Sequence, residues 1–245
     1  MTVRVLQSDH VDEEVDGVHV AMRLGARHEQ QDGAFVAPGV AAVADGMGGH
    51  HDGAAAAMAA LEAFSSAIHE GADLQEATVQ ADAAVRALTG GQWRPRAPGT
   101  TLVAAQREEA GVAGVWSGDS RAYRLRADGH LEGLTEDHGT LGGIEHALGS
   151  AFPALHQDRF WCPAEDTLGL LLCSDGLTGA FEAGPALVEV EEPGGSDAAT
   201  GAIARLLTTR GLSELVEVAA ETGTDNVTAV WWPLRGRAPV PEVRV

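Results

Sequence analysis

Lysine is absent from this 245-residue chain, so all 16 of its basic residues are arginines. A P-loop sets Lys on the phosphates, a protein kinase needs a strand Lys, and a Schiff-base enzyme needs Lys as its nucleophile; the three classes fall together. Cysteine is scarce as well. Cys162 and Cys173 are too few for a disulfide framework and lack the paired spacing of a zinc site. Leu168 and Gly179 stand six residues after them, where a cysteine phosphatase would carry Arg. Positive charge is short overall: 36 acidic residues face 16 basic ones, for a formal net charge of -20, which argues against nucleic acid or an anionic membrane as partner. No stretch approaches the roughly 20 apolar residues of a membrane span, and the N-terminus lacks a basic-then-apolar signal pattern. A cytoplasmic protein is the expectation.

What is present suffices for a core, since 44% of the residues are hydrophobic. Residues 18–234 are expected to form one domain, after an acidic, solvated lead-in at 1–17 and before a Pro/Arg tail at 235–245. Val18 to Leu24 alternates as a strand, and Gly33 to Val36 and Gly39 to Ala44 read as a hairpin turning at Ala37-Pro38-Gly39. Helical spacing of Met58, Leu61, Phe64 and Ile68, and again of Ala77, Ala81, Val85 and Leu88, predicts two amphipathic helices that pack on the core. Gly90, Gly91, Pro95 and Pro98 mark 89–99 as a loop. Residues 100–106, 111–117, 121–126 and 130–134 read as an antiparallel meander, 167–173 as an apolar strand, 198–207 and 212–220 as helices, and 226–232 as a closing strand. Strand-rich stretches broken by helix pairs suggest antiparallel sheets packed on each other with helices outside.

Two strands exit into Asp-Gly, at Asp45-Gly46 and Asp175-Gly176, while Asp32 and Asp225 lie just before strand entries. An isolated Asp-Gly is commonly no more than a solvated turn. In an antiparallel sheet, however, the exits of some strands share a rim with the entries of their neighbours, so these four carboxylates can converge. Carboxylates held close must protonate or bind cations, and oxygen ligands among flexible glycines favour hard cations such as Mg²⁺ or Mn²⁺. The histidines form no zinc pattern: His28-Glu29 does not continue into His-Glu-x-x-His, and His50-His51 lacks partners at helical spacing.

Seven motifs in order carry a resemblance. They are Arg27 with Asp32 five residues on, Asp45-Gly46-Met47-Gly48-Gly49-His50, Gly99-Thr100-Thr101-Leu102 and Gly118-Asp119-Ser120-Arg121-Ala122-Tyr123. Leu134-Thr135-Glu136-Asp137-His138, Cys173-Ser174-Asp175-Gly176-Leu177 and Asp225-Asn226-Val227-Thr228 complete the series. Across about residues 20–232 the chain resembles the metal-dependent protein phosphatases of type 2C, in their bacterial form. The resemblance implies an α+β fold, an α/β/β/α sandwich of two antiparallel sheets flanked by helices, with a two-metal site at one rim. It implies hydrolysis of phosphoserine and phosphothreonine in proteins, the substrates of a Ser/Thr kinase, by a hydroxide bridging two Mn²⁺ or Mg²⁺ ions.

Carried onto this sequence, Asp45 is similar to the carboxylate bridging both ions, Asp175 and Asp225 to ligands of one, and Asp32 and the Gly46 carbonyl to ligands of the other. Arg27 resembles the phosphate anchor, with a guanidinium suited to a bidentate grip. Asp119 matches an acidic ligand for a third ion, but Gly179 stands where the family usually carries its Asp partner, so a third ion is expected to bind weakly or not at all. Met47 replaces the His of animal relatives, which leaves water to protonate the leaving group. Gln30-Gln31-Asp32 replaces the usual Asn-Gln-Asp or Asn-Glu-Asp, and the helical flap expected between His138 and Gly149 is reduced to about ten residues. Two rival readings stand beside the enzyme. One is a non-catalytic phosphatase-like module that binds phosphoproteins; the other is a serine esterase using Ser120, His138 and Asp137.

Overall fold

Strands and helices come in blocks along the chain. The first block is β1 (Arg4–Leu6), β2 (His10–Val15), β3 (Val18–Arg23), β4 (Asp32–Ala37) and β5 (Val40–Met47), followed by α1 (Asp52–His69) and α2 (Leu74–Ala87). The second is β6 (Gly99–Thr100), β7 (Leu102–Arg107), β8 (Gly111–Ser117), β9 (Arg121–Arg126), β10 (Leu131–Gly133), β11 (Gly139–Thr140), β12 (Gly143–Ile144), β13 (Asp158–Pro163) and β14 (Thr167–Cys173). Helices α3 (Asp175–Ala183), α4 (Ala198–Arg210) and α5 (Leu212–Thr222) then lead to β15 (Val227–Pro233). This computed structural model describes residues 2–47, 52–90, 97–140, 143–149, 155–183 and 198–234. Gly48, Gly49 and His50 of the Asp45 motif, residues 91–96 of the 89–99 loop and the 235–245 tail lie outside the described residues.

The strands form two antiparallel sheets, one ordered β1-β4-β5-β7-β8-β13 with β6 on β5, the other β10-β9-β14-β15-β3-β2. Side chains alternate between the faces of a strand, and the period is visible in the hairpin β4–β5. Ala34, Val36, Ala41 and Val43 point between the sheets, onto Val20, Met22, Leu170, Leu172 and Val230 of the second sheet. Phe35, Ala42 and Ala44 point outward onto Ala57, Leu61 and Phe64 of α1 and Val85 of α2. The second sheet's outer face, with Ala21, Leu171 and Ala229, packs on Leu177 of α3, Ile203 of α4 and Leu215 of α5. Four layers result, helices, sheet, sheet and helices, which is the expected sandwich. Small residues set the spacing on the first side: a Cβ on Gly33 would stand 2.6 Å from Leu61 Cδ1, so α1 rides directly on the backbone of β4.

Helix α2 starts on a capping box, in which Asp73 Oδ1 accepts from Glu76 N at 2.9 Å and Glu76 Oε2 from Asp73 N at 3.3 Å.

Three expectations change. The acidic stretch 1–17 is not a lead-in: β1 pairs with β4 and β2 pairs with β3, closing one edge of each sheet. Within β2, Asp12, Glu13 and Glu14 are exposed while Val11 and Val15 enter the core. Buried Arg23 holds Asp12 at 2.7 Å and Glu217 at 2.5 Å. The meander is two hairpins in two different sheets, because the chain crosses between layers at Gly118–Ser120. Strand β13 and helix α3, unread in the sequence, complete the first sheet and the second helical layer.

Candidate functional site

The inner rows of both sheets end in polar residues at the same rim. In β4 and β5 the row Val36, Ala34 ends at Asp32 and the row Ala41, Val43 ends at Asp45, and these two acids are register partners. Opposite them, the rows Leu170, Leu172 and Val230 of the second sheet end at Ser174 and Thr228. Ser174 Oγ spans the gap, donating to Asp32 Oδ2 at 2.8 Å while accepting from Thr228 N at 3.1 Å. Asp175 follows at the first turn of α3, where the helix dipole favours negative charge. Asp225 sits in the turn before β15, held by Asn226 N at 2.8 Å and by Arg27 Nη2 at 2.6 Å.

Backbone clamps fix these positions. Asp45 N donates to Thr101 Oγ1 at 3.0 Å, and Asp45 O accepts from Thr101 N at 2.9 Å and Thr100 Oγ1 at 2.9 Å. Asn226 ties its own loop to both ends of the 24–31 connection, its Oδ1 accepting from Gln31 N at 3.0 Å and its Nδ2 donating to Leu24 O at 2.9 Å. Gly46 and Gly176 are required by close approach: a Cβ would stand 2.0 Å from Gly53 O in the first case and 1.9 Å from Asn226 O in the second. Ser174, Thr101 and Asn226 are the residues that sequence reasoning passed over. Their signal was there, since Ser174 and Asn226 stand beside Asp175 and Asp225 and Thr101 lies in the Gly99-Thr100-Thr101-Leu102 motif.

Electrostatics describe one cluster. Burial, reinforced by the charges of Asp175 and Asp225, pushes the Asp32 carboxyl up to about 7 despite the Ser174 hydrogen bond. Asp45 is pushed well above the usual carboxylate range by burial and by Asp32 and Asp175. Asp175 rises through burial, against the hydrogen bond it shares with Asp45, and Asp119 rises to about 6 through burial and the Asp175 charge. The structure thus brings Asp32, Asp45, Asp119, Asp175 and Asp225 together, with Gly46 beside Asp45 and Arg27 at the edge on Asp225. Asp119 Oδ1 and Asp175 Oδ1 are buried acceptors with no donor. Oxygen atoms buried without donors, among acids that cannot all ionise alone, fit a hard divalent cation. A cavity of about 730 Å³ at the other end of the sandwich, lined by Pro38, Gly39, Arg107 and Trp232 among others, includes none of these residues.

The esterase arrangement does not form. Ser120 Oγ lies 2.6 Å from Thr101 Oγ1, Asp137 grips Arg121 through both oxygens at 2.8 Å, and His138 Nε2 faces Asp158 at 3.2 Å.

An α/β/β/α sandwich with its carboxylates gathered at one rim defines the architectural class. The family model described as protein phosphatase 2C matches residues 26–216, and the chain belongs to that family. It is 31% identical over 165 residues to the "Serine/threonine phosphatase stp" of Listeria innocua, a match covering 56% of this chain and 65% of that relative. The chain therefore spans just under two thirds of the length of this curated relative. Among solved structures it is similar to the PPM Ser-Thr phosphatase MsPP from Mycobacterium smegmatis in complex with cacodylate, with 30% identity, TM-score 0.67, and coverage of 91% of this chain and 100% of that one. It is also similar to the catalytic domain of the serine threonine protein phosphatase PstP in complex with 2 manganese ions, with 25% identity, TM-score 0.68, and coverage of 95% and 99%.

Proposed function

We propose that the acidic rim binds two divalent cations, Mn²⁺ or Mg²⁺, and hydrolyses phosphoserine and phosphothreonine in proteins phosphorylated by a Ser/Thr kinase. The observation that carries this reading is the convergence of Asp32 and Asp45, partners in register, with the donor-less buried oxygens of Asp119 and Asp175, on carboxyls that burial and mutual repulsion push upward. An idle site has no reason to retain them. Asp45 would be shared by both cations, Asp175 and Asp225 would hold one, and Asp32 with the Gly46 carbonyl would hold the other. Asp119 stands near enough to Asp175 to feel its charge, yet Gly179 offers no carboxylate beside it, so a third ion has an incomplete set of ligands.

When bound, the two ions supply an activated water and neutralise the charge of a phosphate ester. The chain's own residues position the rest. Ser174 and Thr101 hold the acids in place, and Arg27, half exposed at the rim, exchanges its Asp225 partner for the phosphate oxygens. With a net charge of -20, the chain would otherwise repel its substrate. The manganese ions in the PstP catalytic domain support the choice of metal. Among the described residues no helix is long and apolar enough to cross a membrane.

The test is phosphate release from a phosphothreonine peptide with Mn²⁺, with chelator, and with Asp175→Asn. Turnover is expected in the first condition alone. A second reading, a phosphoprotein-binding module, is favoured by Gly179 and the short 139–149 connection. It gains if the chain binds Mn²⁺ and phosphopeptide without releasing phosphate.

A further inference from the structure

The connection that replaces a long flap gathers a second set of ligands, different in chemistry from the acidic rim. His138 follows β10, and the chain then turns back through β11 and β12, placing Glu145 N and His146 N on His138 O at 2.9 and 3.4 Å. It returns to the first sheet at β13, whose first residue, Asp158, pairs with Trp116 of β8. Trp116 forms the floor: its ring stacks on His138 at 5.3 Å and 29°, and its Nε1 donates to Glu136 O at 2.9 Å. His138 Nε2 lies 3.2 Å and His156 Nε2 3.3 Å from the same oxygen, Asp158 Oδ2, and the ligating atoms of all three residues lie within 4.8 Å of one another.

Those separations have a meaning. With metal–ligand distances of about 2.0–2.2 Å, two ligands on a tetrahedral zinc ion stand roughly 3.4 Å apart. Imidazole nitrogens with one carboxylate are donors for a borderline transition metal, whereas the acidic rim offers oxygen alone. A third imidazole adjoins them. His146 has its ring centre 4.6 Å from that of His156 and 5.7 Å from that of His138, and its Nδ1 is buried with no partner.

We infer that His138, His156 and Asp158 form a second cation site, for Zn²⁺ or a similar borderline metal, with His146 at its border. A cation there pins the two ends of the 139–157 connection to each other beside Trp116 of β8. It also reaches the acidic rim. Gly118 N donates to His138 Nδ1 at 3.3 Å, which keeps the ring proton on Nε2, facing Asp158. A metal on Nε2 takes that proton's place, the proton moves to Nδ1, and the long Gly118 hydrogen bond is lost next to Asp119.

Cobalt reads the site directly, since low-coordinate nitrogen–oxygen sites give Co²⁺ visible bands that six-oxygen sites scarcely show. The chelator-stripped full chain, with Mg²⁺ added in excess to fill the acidic rim, is titrated with Co²⁺. The expected result is a visible band that Zn²⁺ abolishes and that is lost in both His156→Gln and Asp158→Asn. His156 and Asp158 are about half exposed, so neither change threatens the fold. No band in the parent chain overturns the site, as does a band that persists in both variants. So does a band lost in Asp175→Asn but kept in His156→Gln, which would place the cobalt at the acidic rim. Phosphatase turnover plays no part in this readout, so failure of the site leaves the proposed reaction standing, and the reverse holds too.

Discussion

The acidic rim and the histidine cluster are built in opposite ways. At the rim, Asp32, Asp45, Asp119, Asp175 and Asp225 come from stretches of chain far apart, and two packed sheets bring them together where their inner rows run out. The cluster takes His138, His156 and Asp158 from the two ends of one connection, with His138 stacked on Trp116. The rim's acids are buried or partly buried, and Asp45 is clamped through its backbone, whereas His156 and Asp158 stand half in solvent. This contrast means that a site held by sheet register repeats as short motifs, while one held by a connection leaves no fixed spacing. It also sets the scale of what each change should do.

The largest effect belongs to the rim's own acids. Asp175→Asn and Asp45→Asn should each reduce Mn²⁺-dependent phosphate release by more than the roughly 10–100-fold typical of outer-shell partners, measured on a phosphothreonine peptide. Ser174→Ala removes such a partner from Asp32 and should weaken Mn²⁺ affinity within that roughly 10–100-fold range, read by titration. If Ser174→Ala proves as damaging as Asp175→Asn, the rim is one coupled unit, and ligand and support cannot be told apart there.

A packing change follows in size. Gly176→Ala sets a Cβ against the Asn226 carbonyl, for an expected loss of about 1–3 kcal/mol in denaturant unfolding. Gly179→Ala, inside helix α3, meets nothing within 4 Å and should raise stability by about 0.5–1 kcal/mol. Equal losses at the two glycines would mean that the rim's backbone is not held as tightly as the geometry indicates.

Acidity gives a subtler contrast. In the metal-free chain Asp32, at about 7, and Asp119, at about 6, hold protons that the unfolded chain has released above its ordinary value of 3.8. Their contribution to stability is therefore fully present below that value and is lost as pH rises through 6 and 7. Thermal unfolding of metal-free protein should show this fall between about pH 4 and 7, and Asp32→Asn should flatten it. Cations favour the ionised carboxylates, so Mn²⁺ affinity should climb across the same window. The smallest effect is expected at the histidine cluster, where His156→Gln should remove a Zn²⁺-dependent rise in melting temperature and leave Mn²⁺-dependent turnover as it was.

The rim was legible in the sequence because its acids sit at strand exits or entries, most of them beside glycines, and strand periodicity with the Ala37-Pro38-Gly39 turn predicts the hairpin in which the structure pairs Asp32 with Asp45. The stripes of α1 and α2 were equally plain. Other parts were hidden for physical reasons. Five acids in 1–17 mask β1 and β2, since only Val11 and Val15 reveal which face is buried. Strand β13 ends in Pro163 and carries exposed Trp161, which obscures its alternation. The crossing at Gly118–Ser120 joins two runs that read as one meander, because alternation does not say which sheet a strand enters. Ser174 and Asn226 position acids through bonds that span more than 140 residues, which no local pattern contains. The histidines at 138, 146 and 156 follow no helical spacing and meet only because β13 returns beside β8.

Counting bound manganese is the most direct measurement. Equilibrium dialysis of the chelator-stripped chain against Mn²⁺ near neutral pH, with Zn²⁺ excluded, should find two ions per chain in the parent and fewer than one in Asp45→Asn. No bound Mn²⁺ in the parent, or the same number in both proteins, would contradict the claim that the gathered carboxylates exist to hold a cation pair.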